Sequence, residues 1–261
     1  MKKIPQDIIG NIAILKFGRK TPWIVRKFLA WRFLRTHKNV TTVLDKIGGF
    51  SGSLRIQKTA HLAGIKTKEA VYTENGCRFF LNVNETYFSP RLSNERNIVG
   101  EKIANILKKR GGRVLVVFAG VAPYSIVIGK KLKKAGKSAC IISNELNGVA
   151  NEYAKKNIRV NKLSDTITLV PGDAKNLVRK IKKPFDVILM TRPNLEKTFL
   201  DTALKLSKKG TIIFYHGFGK RKDVLSEIKR DAGKSIGKIE IRKAGNIGPY
   251  EYRWQARFRV S

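Results

Sequence analysis

The sequence predicts an α/β protein with a doubly wound, Rossmann-like parallel sheet and a small α+β domain before it. From about residue 112 onward, apolar segments alternate with helical patterns, as they do where helices cover both faces of a parallel sheet. Before about residue 86 the segments are shorter and rich in strand patterns. The chain has 261 residues, enough for a main domain with a smaller partner. We therefore expect domains at residues 1–86 and 87–261.

The pattern of the first region, residues 1–86, predicts short strands around one helix. The apolar segment IIGNIAILKF predicts a single strand, and a helix is predicted from about Pro22 to Arg35. The segment GGFSGS is rich in turn residues and predicts a loop. Three further strand patterns close the region, namely LRIQKTAHLAG, EAVYTEN and CRFFLNV.

Strand and helix patterns alternate through the second region. The predicted strands are, in order, RVLVVFAG, SACIISNE, TITLVPGD, FDVILMTRP and GTIIFYHGF. Helices are predicted after the first four, and the first two of them end near Ala135 and Asn161. The terminal segment YEYRWQARFRVS alternates apolar and basic residues, which predicts a final strand with one wet face. The charged segment YFSPRLSNER, from Tyr87 to Arg96, connects the two regions.

The net charge of +35 is the strongest feature of the composition. Basic residues outnumber acidic ones by 16 to 5 before residue 87 and by 38 to 14 from there on, so the excess is spread along the chain. A folded chain with this charge attracts polyanions and gains affinity by releasing their counterions. A thermophilic surface would be rich in Glu as well as Lys, and Glu is scarce here. The charge therefore favours a nucleic-acid partner.

Cysteine and histidine spacing argues against disulfides and metal sites. Cys77 and Cys140 are far apart, and His37, His61 and His216 are scattered. The first residues carry charge but no continuous apolar core, and no run of about 18 apolar residues occurs, so we predict no signal peptide and no membrane span. We expect a cytoplasmic protein that is a monomer.

The ends of the predicted strands carry residues suited to a nucleotide cofactor. The turn after the first strand has small residues that let the backbone approach a ligand, although it lacks G-x-G-x-x-G. Glu145, at the end of the second strand, can accept hydrogen bonds from ribose hydroxyls. Asp173, after the third, can accept from an adenine amino group or can simply cap a helix. Together they match the pattern of S-adenosylmethionine enzymes. The residues expected at the cofactor are Phe118, Ala119, Gly120, Glu145, Asp173 and Ala174.

Several motifs along the chain resemble those of one family of S-adenosylmethionine enzymes. They are QDIIGNIAIL, KIGGFSGSLRIQKTAHLAG, YTENGCRFFLNV, YFSPRLSNER, FAGVAPYS, SNELN, KNIRVNKL and GDA. With them the chain resembles the archaeal and eukaryotic tRNA (guanine-37, N1)-methyltransferases from about Ile8 to its C-terminus. The resemblance implies a class I methyltransferase sheet, S-adenosylmethionine as cofactor and the anticodon loop of tRNA as partner. Members usually carry a further N-terminal domain that grips the tRNA elbow, and this chain begins at the second domain.

The resemblance also implies roles for residues outside the strand ends. The family's general base corresponds to Glu95 and the arginine that supports guanine O6 corresponds to Arg55. Without the resemblance, Glu95 reads as a first-turn helix acid and Arg55 as a surface arginine. Arg96 is expected at the cofactor, while Tyr87 and Pro90 are expected at the cofactor or the target base.

Two positions depart from the family pattern. Val116 stands where the family usually has an acidic residue, and Thr191, Arg192 and Pro193 replace the usual Asn-Leu-Pro at the end of the fourth strand. We expect these three residues to line the base pocket. The altered pocket is compatible with a second activity, methylation of carbon 7 of 4-demethylwyosine at the same nucleotide.

Two other functions stay open from the sequence. One is the transfer of the aminocarboxypropyl group of the same cofactor to the wyosine precursor, a branch that lacks the YFSPRL motif and the glutamate at the position of Glu95. The other is tRNA binding without catalysis, against which the retained Glu95, Arg55 and Glu145 argue.

Overall fold

A computed structural model of the chain describes residues 4–52, 54–107, 111–248 and 250–261. These residues form a sheet of four strands, a hairpin of two strands and a sheet of seven strands. The α/β fold class and the parallel sheet predicted from the sequence are confirmed.

The four-stranded sheet is built around one crossover helix. Its elements are β1 (Gln6–Ile9), β2 (Ile12–Leu15), α1 (Trp23–Thr36), β3 (Thr42–Ser51) and β4 (Ile56–Gly64). The strand order is β1-β2-β3-β4, and the β2–β3 pair is parallel because α1 carries the chain back between them.

Two local predictions in this sheet were wrong. The segment IIGNIAILKF forms two strands with a turn at Gly10, whose φ is 57°. A Cβ at this glycine would lie 1.7 Å from the carbonyl oxygen of Val71, so the turn needs glycine both for its backbone angle and for space. The expected loop GGFSGS lies partly in β3, which runs on through Gly48 and Gly49 and ends only at Ser51; within this segment, Ser53 is outside the described residues.

The hairpin and the connecting segment come next along the chain. The hairpin consists of β5 (Glu69–Glu74) and β6 (Cys77–Asn82), which pair antiparallel. The segment YFSPRLSNER then forms a 3-10 turn over Pro90–Leu92 and the first turn of α2 (Ser93–Ile106). Glu95 and Arg96 are therefore neighbours at the start of a helix, with their side chains about 100° apart around its axis.

The seven-stranded sheet contains the predicted alternation, the predicted final strand and one further strand before it. Its elements are β7 (Gly112–Val117), α3 (Pro123–Lys134), β8 (Ala139–Glu145), α4 (Gly148–Val160), β9 (Ile167–Pro171), α5 (Leu177–Lys180), β10 (Phe185–Met190), α6 (Leu200–Lys205), β11 (Ser207–Gly219), α7 (Arg221–Ala232), β12 (Glu240–Gly248) and β13 (Glu251–Arg259). The strand order is β12-β13-β11-β10-β7-β8-β9. The five strands from β9 to β11 are parallel, and β13 runs against both of its neighbours.

Hydrophobic cores cover both faces of this sheet. On one face, Val114 and Val116 of β7 pack with Ile103 of α2 and Phe79 of the hairpin, and the same core reaches Leu44 in the four-stranded sheet. On the other face, the alternate residues of β7 pack with α5, α6 and α7. A smaller core lies beneath α1. Because the first core is continuous across residue 86, the division into domains 1–86 and 87–261 stays a proposal.

Two asparagines of α4 bind the hairpin to the large sheet. The side chain of Asn157 is fully buried, accepts from the N–H of Phe80 at 2.7 Å, and donates to the carbonyls of Phe80 at 3.0 Å and Val121 at 3.1 Å. Asn161 makes the matching pair of bonds with the backbone of Arg78, at 3.0 and 2.7 Å. These amides satisfy backbone groups of β6 in the way that a neighbouring strand would.

We predict that Asn157→Ala lowers the free energy of unfolding by about 2–3 kcal/mol, because it leaves buried backbone groups of Phe80 and Val121 without partners. Urea unfolding followed by circular dichroism measures the change. Lys155→Ala, at an exposed position of the same helix, is the matched control and should change stability by less than about 0.5 kcal/mol. Equal stability of the two variants would contradict this role of the Asn157 side chain.

Candidate active site

A cavity of about 490 Å³ opens at the carboxyl ends of the parallel strands. The chain leaves β7 toward β8 on one side and later returns through β10 on the other, so the cavity lies where such sheets bind ligands. Its volume is in the range of small-molecule and cofactor sites.

The turn after β7 forms one wall of this cavity through an unusual backbone. Phe118, Gly120 and Ala122 all have positive φ, at 62°, 57° and 65°. The N–H of Ala119 donates to the carbonyl of Asn144 at 2.9 Å, and Pro123 begins α3, as predicted. The turn therefore brings backbone N–H groups close to the end of β8.

Glu145 meets this turn from the end of β8. Its Oε2 accepts from the N–H of Gly120 at 2.7 Å, and its Oε1 accepts from the N–H of Asn147 at 2.8 Å. Each carboxylate oxygen keeps a second lone pair, so the side chain is positioned and can still accept from a ligand hydroxyl.

Asp173 follows β9 at the same edge of the sheet. Its Oδ1 accepts from the N–H of Lys175 at 2.9 Å, which is the capping role considered from the sequence. Asn144 ties the two strand ends together by donating to the carbonyls of Val170 at 2.8 Å and Gly172 at 2.9 Å.

The cavity brings together most of the residues that the sequence singled out. Those that line it are Arg55, Tyr87, Arg96, Phe118, Ala119, Gly120, Glu145, Asp173, Ala174, Thr191, Arg192 and Pro193. Glu95 and Pro90 do not line it. The roles assigned to all of these residues stay predictions.

Arg96 is held by the protein itself. Its guanidinium makes a buried bidentate ion pair with Glu74, with one contact of 2.6 Å, and donates to the carbonyl of Ser89 at 2.9 Å. It also lies 4.9 Å from the centre of the Phe88 ring. These contacts join the start of α2 to the end of β5, so the geometry favours a structural role for this arginine over the expected cofactor contact.

Thr191 and Arg192 likewise direct their polar groups into the protein. The hydroxyl of Thr191 donates to the carbonyl of Phe118 at 2.8 Å. The guanidinium of Arg192 donates to the carbonyl of Leu195 at 2.6 Å and to Glu227 at 3.0 Å. The two terminal nitrogens of Arg192 are thus already engaged within the protein, in part by a partly buried ion pair.

Arg55 and Tyr87 stand together at the cavity. The guanidinium of Arg55 lies 5.2 Å from the centre of the Tyr87 ring, within the range of a cation–π contact. The hydroxyl of Tyr87 accepts a long hydrogen bond of 3.5 Å from Arg253 of β13. The four-stranded sheet, the connecting segment and the terminal strand thus meet at one point.

Glu95 lies behind this lining, with 5% of its surface exposed. Its Oε1 accepts from Arg242 at 2.8 Å and lies 3.7 Å from Nε2 of His216. His216 is 1% exposed, lines the cavity and packs edge-on against the Tyr124 ring at 5.7 Å. Burial lowers the pKa of the His216 imidazole, and Arg253 and Arg242 add to this effect while Glu95 opposes it. The lowered pKa favours the neutral imidazole.

Sequence reasoning missed three members of this group. His216 was set aside as scattered, although it stands at the carboxyl end of β11, where side chains of parallel strands reach the ligand. Arg242 and Arg253 belong to β12 and β13, and their partners Glu95 and Tyr87 are 147 and 166 residues away. No local pattern reveals such pairs.

No helix within residues 4–52, 54–107, 111–248 and 250–261 is long and apolar enough to span a membrane. In the same part of the chain, no three His, Cys, Asp or Glu side chains converge as they would around a metal ion.

Comparison with known proteins agrees with the fold and identifies a family. The family model described as the TRM5/TYW2 methyltransferase domain matches residues 70–241. The tRNA (guanine(37)-N(1))-methyltransferase Trm5b of Pyrococcus abyssi (strain GE5 / Orsay) is 32% identical over 98% of this chain and 74% of the relative.

The chain is also similar to a second named relative and to a solved structure. The tRNA (guanine(37)-N(1))/4-demethylwyosine(37)-methyltransferase Taw22 of Nanoarchaeum equitans is 34% identical over 74% of this chain and 63% of the relative. The complex structure of aTrm5 and tRNALeu superposes with a TM-score of 0.84 at 26% identity, over 99% of this chain and 72% of that chain.

We predict that Arg96→Ala lowers the free energy of unfolding by about 3–5 kcal/mol, because it leaves the Glu74 carboxylate buried without its counter-charge. Arg91→Ala removes an exposed ion pair with Asp7, two residues before the start of α2, and should cost less than about 1 kcal/mol. Chemical denaturation of both variants measures the difference. A small loss of unfolding free energy for Arg96→Ala would instead support the predicted contact between Arg96 and the cofactor.

Proposed function

The chain belongs to the TRM5/TYW2 methyltransferase family, and we propose that it transfers a methyl group from S-adenosylmethionine to N1 of guanosine 37 in tRNA. The observation that supports this most is the cavity itself, which combines the Glu145 carboxylate with Arg55 and, through His216, with Glu95. We also propose that the protein acts in the cytoplasm as a monomer.

The residues at the strand ends fit S-adenosylmethionine. Gly120 lines the cavity with a φ of 57° and has no Cβ, so the backbone can approach a ligand closely there. Glu145 is fixed by two backbone N–H groups and can accept from the ribose hydroxyls, and Asp173 can accept from the adenine amino group. The bound cofactor supplies a methyl group on a sulfonium, and the sulfur keeps the electrons of the broken bond.

The target base enters next to Arg55 and Tyr87. Guanosine 37 is stacked in the anticodon loop, and extracting it costs a few kcal/mol. The Tyr87 ring can recover part of this cost by stacking. Arg55 then provides a permanent positive charge for the electron density that collects on O6 as N1 loses its proton.

The proton of N1 requires an acceptor, and we assign that role to the Glu95 carboxylate. Its charge is balanced by Arg242 at 2.8 Å, which keeps a carboxylate tolerable in a nearly closed environment. General base catalysis of this kind contributes about 10²- to 10⁴-fold in rate.

Two observations favour a second activity, the methylation of 4-demethylwyosine. The Nanoarchaeum equitans relative is named for both reactions, and the end of β10 carries Thr191, Arg192 and Pro193. None of these three side chains is an amide, and the Thr191 hydroxyl donates to the Phe118 carbonyl. We propose methylation of C7 as an additional activity of the same cavity.

We predict that the protein forms N1-methylguanosine in an unmodified tRNA transcript with guanosine 37, and that Glu95→Gln slows this at least about 100-fold. Single-turnover assays with methyl-labelled cofactor, followed by nucleoside digestion, measure the rate. Calorimetric titration should give the same cofactor affinity for both proteins, because Glu95 does not line the cavity.

Controls separate this reaction from the alternatives. Glu101→Gln, on the exposed side of the same helix, should retain the full rate. Cofactor labelled in the carboxyl group instead of the methyl group should leave no label in the tRNA, which excludes aminocarboxypropyl transfer. Wild-type protein that binds cofactor and forms no N1-methylguanosine would refute the proposal, and a transcript carrying 4-demethylwyosine tests the second activity.

A further inference from the structure

Arg253 of β13 brings a positive charge to the cavity without a counter-charge from the protein. It lines the cavity, and its guanidinium forms no ion pair with any Asp or Glu of the described ranges. Its hydrogen bond to the Tyr87 hydroxyl is a long one of 3.5 Å. Its Nε is buried and has no partner among the described residues. A charge held in this way favours an anionic ligand.

Other arginines of the site are neutralised within the protein. Arg96 and Arg192 also line the cavity, and each forms an ion pair with a glutamate. Arg242, on the neighbouring strand β12, pairs with Glu95. The contrast identifies Arg253 as a cavity arginine whose counter-charge comes from a ligand.

The position of Arg253 indicates which anion this is. Under the proposed function two kinds of anion enter the cavity, the carboxylate of the cofactor and the phosphates of the RNA. The strand β13 lies three strands from β7 and four from β8, about 14 and 19 Å at the usual strand spacing, and the ends of those two strands carry the residues assigned to the cofactor. Arg253 instead contacts Tyr87, which stands with Arg55 where the target base enters. A phosphate of the RNA fits this place better than the cofactor carboxylate.

Exposed basic residues continue from Arg253 to the surface. Gly219, the last residue of β11, pairs with the residue before Arg253. The three residues that follow Gly219 are basic and exposed, namely Lys220, Arg221 and Lys222. Against Asp223 and Glu251, these four basic residues leave a net positive charge. An RNA backbone that leaves the cavity on this side therefore meets further positive charge.

Resting on the proposed function, we propose that Arg253 binds the phosphate next to the target nucleotide and that residues 220–222 bind the phosphates beyond it. A guanidinium suits the first contact because its planar donors match two phosphate oxygens at once. A nucleotide taken out of its stack carries its phosphates with it, so a fixed charge at this point holds the base in place for methyl transfer. Arg253 is thus a substrate-binding residue, and no proton passes through it.

Arg253→Gln tests the contact, because the amide removes the charge and keeps a polar side chain. We expect the dissociation constant for a tRNA transcript with guanosine 37 to rise about tenfold. The slope of log affinity against log salt concentration should become shallower by about 0.7, the value for one phosphate contact to a single strand. Titrations between about 50 and 200 mM salt measure both quantities.

Two comparisons separate this contact from other roles of Arg253. Arg257→Gln on the same strand is the matched control, since Arg257 pairs with Glu240, and it should change the dissociation constant less than about twofold. Calorimetry should show cofactor affinity within about twofold of wild type for Arg253→Gln. Loss of cofactor affinity with unchanged tRNA affinity assigns Arg253 to the cofactor carboxylate and overturns the proposal. An unchanged salt slope also overturns it, because only support of Tyr87 then remains.

A chemically altered tRNA tests the same contact with wild-type protein. Uncharged methylphosphonate linkages on both sides of nucleotide 37 should weaken wild-type binding about tenfold and weaken binding by Arg253→Gln much less, because one partner is already absent there. Equal losses in the two proteins overturn the proposal. The failure of the proposed function looks different, since wild type then binds tRNA and forms no N1-methylguanosine.

Lys220→Gln/Arg221→Gln/Lys222→Gln tests the contacts outside the cavity. We expect the salt slope for tRNA to become shallower by about 2, as for the loss of three phosphate contacts. Cofactor affinity should stay within about twofold of wild type, because none of the three residues lines the cavity.

A control variant removes the same charge from the opposite edge of the sheet. Arg179→Gln/Lys182→Gln/Lys183→Gln changes three exposed residues near the amino end of β10 and should leave the salt slope close to that of wild type. Equal effects of the two triple variants show that net charge alone acts, which overturns the contacts assigned to residues 220–222.

Discussion

The buried ion pair between Arg96 and Glu74 holds the start of α2 against the end of the hairpin. Because Glu95 is the preceding residue on the same helical turn, fixing Arg96 also fixes the direction of Glu95. The carboxylate then points toward Arg242 and His216. Arg96 thus anchors this part of the connecting segment, and its anchoring orients Glu95 toward Arg242 and His216.

The same connecting segment explains how two kinds of sheet share one site. Tyr87 and the first turn of α2 lie between the four-stranded sheet, whose β3–β4 turn carries Arg55, and the large sheet, which carries Glu145. The core behind them is continuous, and the asparagine contacts of α4 prevent the hairpin from moving independently. A rigid junction is what a reaction needs when its charged groups come from distant parts of the chain.

The sequence predicted the elements better than the contacts. Alternating strands and helices were evident because apolar periodicity is local, and the strand-end residues Gly120 and Glu145 followed from the edge at which parallel strands end. The break at Gly10 was missed because the apolar pattern continues across it. The pairing of Arg96 with Glu74 and of Arg192 with Glu227 was missed because ion pairs across 22 and 35 residues leave no periodic signal.

The place of β12 and β13 at the end of the sequence has a consequence for when the site forms during synthesis of the protein. It lies between β11 and β12, and these last two strands bring Arg253 and Arg242 to residues that were synthesised 166 and 147 positions earlier. A nascent chain that has not yet released β12 and β13 from the ribosome lacks the counter-charge of Glu95 described here. The side chains around Glu95 and Tyr87 therefore come together only after the last two strands have been synthesised.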